Sequence, residues 1–149
     1  MKDLLKDKDF LRSIILDNYQ YPHNKQLVTG NNKYKKVHMA SDSCIDDIYV
    51  QADIEDGIVK DVRFDGEGCA LSTASVSIMS ELVKGKSIEE ANHIMDEFNK
   101  MLKGEEYDED LLEEAVCFQN VYKQPNRIHC AQIGWLGLDK LIKGEGEDE

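Results

Sequence analysis

The sequence has no apolar run of the roughly 18–20 residues that a membrane-spanning helix requires. Its first residues, 1–7, include acids and hold no apolar secretory core, so they do not predict a signal or transit peptide. We therefore expect a cytoplasmic protein without a membrane partner. In a reducing compartment, its four cysteines are more often metal ligands, nucleophiles or core residues than disulfides.

Positive charge is also scarce. The chain carries 18 Lys and Arg against 30 Asp and Glu, a net charge of −12. This balance argues against nucleic acid as a partner and favours a protein with a basic docking patch. The 149 residues suffice for one domain with its own core, and no internal repeat is visible. We predict one domain over residues 1–143 and a disordered acidic tail over 144–149.

No Cys-x-x-Cys pair is present, which excludes zinc fingers and ribbons, whose ligands come as close pairs. Three cysteines instead fall in separate predicted elements: Cys44 before a strand, and Cys69 and Cys130 at helix starts. Gly66 and Gly68 permit a sharp turn that delivers Cys69 to a helix N-terminus. The helix dipole and free N–H groups there favour an anion such as a thiolate. A cysteine that only packs in the core does not need that turn.

Only two prolines occur, and each marks a helix boundary. Pro22 follows an amphipathic helix over 7–19, and Pro125 lies in the first turn of a last helix that runs to Ile142. Asp56-Gly57 is a hairpin signal between alternating strands, and antiparallel pairing of those strands places Cys44 near Cys69. The other predicted elements are an edge strand over 37–43, strands over 47–54 and 58–64, helices over 70–84 and 87–102, and a short helix within 105–114.

Three cysteines leave one position in a tetrahedral metal site. Asp46 is the best candidate for it, because a side chain two residues past Cys44 in an extended loop can face the same way. A carboxylate is a weaker zinc partner than a fourth thiolate, which suggests an exchangeable ligand set. His129 is an alternative ligand or proton carrier, and Arg127 can place positive charge beside the thiolates. Cys117, in an apolar patch without a turn signal, is predicted to pack in the core.

Three blocks of sequence resemble one known family over about residues 10–141. They are Cys44-Ile45-Asp46, residues 66–87 and residues 127–138. The chain resembles the U-type iron–sulfur cluster assembly proteins, the IscU/NifU N-terminal family, and most closely the SufU branch. Trp135, five positions after the last cysteine, and the 61-residue interval before that cysteine favour this branch. Ile45 stands where the family has glycine. His129 matches IscU rather than SufU and leaves the fourth ligand open.

The resemblance implies an α+β fold, a small antiparallel sheet of about three strands packed against several helices. It implies that Cys44, Asp46, Cys69 and Cys130 hold one Zn²⁺ per chain. On this hypothesis the chain is a sulfurtransferase-like carrier that takes persulfide sulfur from a SufS-like, pyridoxal-phosphate-dependent cysteine desulfurase. Cys44 is the expected acceptor, because a loop cysteine can leave the metal with least disruption.

The alternative that the resemblance leaves open is a non-enzymatic scaffold. Such a protein carries a transient [2Fe-2S] cluster and passes it to downstream acceptor proteins. A purely structural zinc module is disfavoured, because an aspartate ligand and a glycine-hinged cysteine are poor choices for a closed site.

Overall fold

The computed structural model describes residues 7–40 and 45–148. Within these ranges, no helix is long and apolar enough to cross a membrane. Two short 3₁₀ turns, Glu113–Phe118 and Val121–Lys123, precede the last helix. The helices and strands follow in the order α1 (Lys8–Gln20), β1 (Tyr34–Ala40), β2 (Asp47–Glu55), β3 (Ile58–Glu67), α2 (Ala70–Val83), α3 (Ile88–Leu102), α4 (Glu109–Leu112), α5 (Pro125–Ile142) and β4 (Glu147–Asp148).

The sheet has the strand order β3-β2-β1-β4, and all neighbouring strands are antiparallel. Asp56 and Gly57 both have positive φ, 54° and 75°, as a two-residue hairpin of the predicted kind requires. The β2–β3 hairpin predicted from the sequence is therefore confirmed. The edge strand β1 begins at Tyr34, three residues before its predicted start. Its first residues are polar and carry no alternating pattern, so pairing of Tyr34 with Asp53 decides where the strand begins.

The acidic tail differs from the sequence prediction in the part that the structure describes. Glu147 and Asp148 pair with Lys36 and Lys35 of β1 and form the two-residue strand β4. The edge of β1 offers backbone groups that another strand can pair with, so even a short polar segment can add to it. The prediction of a wholly disordered tail is therefore corrected for these two residues.

Helix α2 is buried on nearly all sides rather than along one stripe. Eleven of its fourteen residues are buried, and four of these are serines. Their hydroxyls are hydrogen-bonded, as buried polar groups must be. Ser75 donates to the Ala131 carbonyl (2.6 Å), Ser77 to Asn18 (2.9 Å) and Ser80 to the Ser77 carbonyl (2.6 Å). The serine-rich sequence therefore lets a central helix bond to the elements packed around it.

Helices α2 and α5 approach closely because α5 carries a glycine at the contact. A Cβ atom on Gly134 would lie 2.7 Å from the Cβ of Val76. One residue further, Trp135 stacks on Phe98 of α3, with ring centroids 4.0 Å apart, and donates its Nε1–H to Ser75 Oγ at 2.9 Å. These contacts fix α5 along α2, which determines where the side chains in the first turns of α5 lie.

Candidate metal centre

Three predicted ligands lie together in the structure. Asp46, Cys69 and Cys130 each place one ligand atom within 4.8 Å of the other two. They come from the residue before β2, the residue before α2 and the second turn of α5. Asp46 and Cys130 are buried, and Cys69 is half-buried. Residues far apart in sequence therefore form a compact group with one partly open side.

The turn before α2 positions Cys69 as predicted, although its two glycines act differently. Gly66 has φ of +117°, and a Cβ there would overlap the Asp47 carbonyl oxygen, so this position requires glycine. Gly68 does not have positive φ but makes a close approach, because a Cβ there would overlap Ser72 Oγ. Cys69 is the N-cap of α2, and its Sγ accepts from the Ser72 amide at 3.5 Å.

Asp46 is held by two donors from the beginning of α2. Its side chain is almost fully buried, at 1 % exposure. Its Oδ1 accepts hydrogen bonds from the Cys69 amide at 3.0 Å and from Ser72 Oγ at 2.6 Å. A buried carboxylate requires such donors to offset the loss of hydration. Asp46 is therefore fixed relative to Cys69 before any ion is considered.

Cys130 does not lie at a helix start, which corrects the sequence prediction. Pro125 begins α5 five residues earlier, as its fixed φ and missing N–H allow, so Cys130 falls in the second turn. The N-terminal dipole argument that applies to Cys69 therefore does not apply here. Packing of α5 against α2, through Gly134 and Val76 one turn further along, accounts for the position of Cys130.

The two flanking residues proposed from the sequence lie in different surroundings. Arg127 is half-buried, and its Nη2 lies 4.0 Å from Cys69 Sγ. Its Nε is buried and has no hydrogen-bond partner in the described part of the chain. His129 is exposed and does not belong to the group of three ligand residues. Arg127 therefore supplies positive charge beside one sulfur atom.

The structure tests only one of the two remaining cysteines. Cys44 lies outside the described residues, so its predicted place as ligand and acceptor stays a prediction. Cys117 packs in the core at 5 % exposure, as the sequence predicts. Burial raises the pKa of the Cys117 thiol well above its usual value, which keeps it neutral and unreactive.

The donor atoms suit zinc. Thiolate sulfur and carboxylate oxygen are both established zinc ligands, and three protein ligands leave one of four tetrahedral positions for another group. The hydrogen bonds on Asp46 are of the outer-shell kind that orients metal ligands in proteins. Sequence reasoning missed Ser72, because it is one of four serines in α2 and only its position three residues after the N-cap cysteine distinguishes it.

Comparison with known proteins agrees with the fold and identifies the family. The family model of the NifU-like N terminal domain matches residues 11–139. The zinc-dependent sulfurtransferase SufU of Bacillus subtilis (strain 168) is 39% identical over 137 residues, which cover 91% of each chain. The iron-sulfur cluster assembly scaffold protein IscU of Thermotoga maritima is 37% identical over 101 residues, 68% of this chain and 71% of that protein.

A solved structure agrees as well. The crystal structure of FiSufU, from the thermophilic Fervidobacterium islandicum AW-1, superposes with a TM-score of 0.77. Its sequence is 28% identical, and the match covers 85% of this chain and 91% of that one. Fold and sequence therefore agree, and the chain belongs to the family of NifU-like N-terminal domains.

Proposed function

We propose that this protein acts in iron–sulfur cluster biogenesis as a zinc-dependent sulfur acceptor. It would take sulfane sulfur from the persulfide of a cysteine desulfurase and pass it on. The observation that carries the proposal is the convergence of Asp46, Cys69 and Cys130 within 4.8 Å. The relative in Bacillus subtilis named as a zinc-dependent sulfurtransferase, which matches 91% of this chain, supports zinc and sulfur transfer together.

Three ligands of the proposed zinc site are Asp46, Cys69 and Cys130, and we assign the fourth position to Cys44. Cys44 precedes Asp46 by two residues, and two extended residues span at most about 7 Å, so the chain keeps this thiol within reach of the group. When bound, zinc supplies the positive charge that keeps its cysteine ligands deprotonated. Each cysteine of the set is then both a ligand and a potential nucleophile, whereas Asp46 is a ligand only.

In the transfer step, the Cys44 thiolate attacks the terminal sulfur of the donor persulfide. A sulfur–sulfur bond forms at Cys44, the sulfur–sulfur bond of the donor breaks, and the donor cysteine leaves as a thiolate. The step is an exchange and consumes no oxidant or reductant. The nearby Arg127 guanidinium, 4.0 Å from Cys69 Sγ, would attract the incoming persulfide anion.

Cys44 is the best acceptor because the other two cysteines are fixed by helices. Cys69 caps α2 and Cys130 is an interior residue of α5 at 5 % exposure, so neither can reach an external donor without disturbing a helix. Cys44 instead belongs to the connection between Ala40 of β1 and Asp47 of β2. A connection between strands can move with less loss of packing than a helix.

The acceptor assignment is tested by mapping the persulfide. The zinc-loaded protein is incubated with its desulfurase and cysteine, its thiols are alkylated, and the modified peptides are identified by mass spectrometry. We expect the persulfide on Cys44. Persulfide mainly on Cys69 or Cys130, with Cys44 unmodified, would show that the acceptor is misassigned.

A second function has support from other relatives. The Thermotoga maritima protein is named as a scaffold for iron–sulfur cluster assembly, and His129 matches the IscU pattern. On that alternative the same residues would hold a transient [2Fe-2S] cluster. Metal analysis and visible absorbance of the purified protein separate the two. One colourless zinc per chain supports the sulfur acceptor, whereas brown protein with iron and sulfide supports the scaffold.

A further inference from the structure

We infer that Ser72 is a positioning residue that orients the Asp46 carboxylate and so sets how firmly Asp46 holds a metal ion. The inference rests on the metal site proposed above and goes beyond its ligand set. It concerns a buried hydroxyl that is not itself a ligand.

The contact between the two side chains is short and enclosed. Ser72 Oγ lies 2.6 Å from Asp46 Oδ1, in the range of a hydroxyl that donates to an anionic carboxylate. Ser72 is 0 % exposed and Asp46 is 1 % exposed, so water does not compete for this hydrogen bond. A charge-assisted hydrogen bond in such surroundings is stronger than a neutral one and fixes the direction of the carboxylate.

The same carboxylate oxygen has a second donor on the same helix. The Cys69 amide donates to Asp46 Oδ1 at 3.0 Å. Cys69 and Ser72 are three residues apart, a spacing that places them on one side of a helical turn. The first turn of α2 therefore carries one ligand, Cys69, and two of the donors that orient another ligand, Asp46. Cys69 is the N-cap of helix α2, and Asp46 is hydrogen-bonded to the same helix.

The backbone next to this pair is adapted to it. A Cβ on Gly68 would overlap Ser72 Oγ and would lie 3.1 Å from Asp46 Oδ1. Ser72 Oγ is also 3.1 Å from the Cys69 carbonyl, but its single proton goes to the nearer, charged acceptor. Gly68 therefore serves this hydrogen bond as well as the turn, which explains a glycine that does not need positive φ.

Removal of the hydroxyl should loosen Asp46 without removing any ligand. In Ser72→Ala the carboxylate loses the 2.6 Å hydrogen bond from Ser72 Oγ and is oriented less firmly. Loss of an outer-shell partner of this kind typically weakens metal binding about 10–100-fold. Because Asp46 is then free to bind through one or both oxygens, the geometry at the metal should change as well as the affinity.

The experiment compares four forms of the full-length chain: wild type, Ser72→Ala, Ser72→Thr and Ser80→Ala. Ser80 is a matched control, since it is also a serine of α2 with 0 % exposure, but its hydroxyl donates to the Ser77 carbonyl. Zinc affinity is measured by competition with a chromophoric chelator. The visible d–d bands of the cobalt-substituted protein report the ligand geometry independently of sulfur-transfer activity.

We expect Ser72→Ala to weaken zinc binding about 10–100-fold and to alter the cobalt spectrum. Ser72→Thr keeps a hydroxyl and should restore the zinc affinity and the cobalt spectrum. Ser80→Ala should match wild type in the same two measurements. In an Asp46→Ala background, Ser72→Ala should cause no further loss, because Ser72 acts through Asp46.

Wild-type protein that binds no zinc would refute the proposed function itself. If wild type binds zinc, three results would overturn the role of Ser72. They are an unchanged affinity and spectrum in Ser72→Ala, an equal loss in Ser80→Ala, or an additional loss in the Asp46→Ala background.

Discussion

Cys69 is the N-cap of α2 and the most accessible of the three clustered residues that we propose as ligands. We predict that Cys69→Ser abolishes stoichiometric zinc binding and lowers the melting temperature, because the free energy of metal binding adds to the free energy of folding. Metal analysis and thermal unfolding with and without a chelator measure both effects.

Cys117→Ser is the matched control, since Cys117 lies in the core and away from the ligand group. That variant should keep its zinc. Full retention of zinc in Cys69→Ser would refute the ligand assignment, and zinc loss in Cys117→Ser would identify a ligand that the proposed set omits.

Individual residues differ in how far the sequence could predict them. The glycine turn made Cys69 recognisable, and the short spacing from Cys44 pointed to Asp46. Ser72 could not be predicted, because its hydroxyl matters only through a contact with Asp46, 26 residues earlier in the chain. Cys130 was predicted as a ligand but misplaced at a helix start, although a proline in the first turn already puts the residue five positions later in the second turn or beyond.

The contact between α2 and α5 positions one proposed ligand relative to another, and Gly134 allows the helices to come this close. In Gly134→Ala the new methyl group would press on Val76, 2.7 Å away, which costs about 1–3 kcal/mol. Alanine regains about 1 kcal/mol in a helix, so we predict that the free energy of unfolding falls by up to about 2 kcal/mol. Urea unfolding of the metal-free protein measures it.

The double variant Gly134→Ala, Val76→Ala tests the cause. Removal of the Val76 side-chain methyl groups makes room for the new methyl, so the second change should cost less in this background than in wild type. If the two costs simply add, the loss does not come from this contact.

Tyr34 of β1 and Asp61 of β3 link the two strands that flank β2. The Tyr34 hydroxyl donates to Asp61 Oδ2 at 2.6 Å, and burial, with that hydrogen bond, raises the pKa of Tyr34 to about 12. In the unfolded chain the pKa is about 10. Below pH 10 both states keep the proton, and between pH 10 and 12 only the unfolded state loses it. This group therefore stabilises the fold below pH 10 and loses its effect as the pH rises to 12.

We predict that Tyr34→Phe is less stable than wild type at pH 8 by about 1–3 kcal/mol, since a hydrogen bond to a charged group is lost. The difference should shrink at pH 11. Urea unfolding at both pH values measures it, and Tyr122→Phe, at an exposed position, is the control. An equal difference at the two pH values would contradict the assigned cause.

The sequence predicts the bounds of a helix or strand well where neighbouring residues determine them. Helix α3 begins where the sequence predicts it, at a capping box of Ser87 and Glu90 in which both hydrogen bonds form. Residues 113–123 contain two 3₁₀ turns, which the hydrophobic pattern of the sequence does not predict. Strand β4 depends on an edge of β1 far away in the chain, so composition alone suggests only a solvated tail.

The molecule as a whole is acidic, with a net charge of −12. We predict that the zinc-loaded protein increases cysteine-dependent sulfide release by its desulfurase and that added salt reduces this stimulation. Attraction between an acidic protein and a basic patch is screened by ions, which slows association. Sulfide release at increasing NaCl concentrations, with the desulfurase alone as the control, measures it. Absence of stimulation at low salt would contradict the proposed partnership. Stimulation that does not change with NaCl concentration would contradict the claim that charge attraction drives the association.

The stacked pair of Trp135 and Phe98 has a practical consequence. Trp135 is the single tryptophan of the chain, so all indole emission reports on one place. Its ring is enclosed, hydrogen-bonded to Ser75 and only five residues from Cys130 on the same helix. A change in how α5 lies against α2 and α3 alters the surroundings of that one fluorophore. Native fluorescence is therefore a label-free, built-in optical reporter for the end of the molecule that carries the proposed metal site.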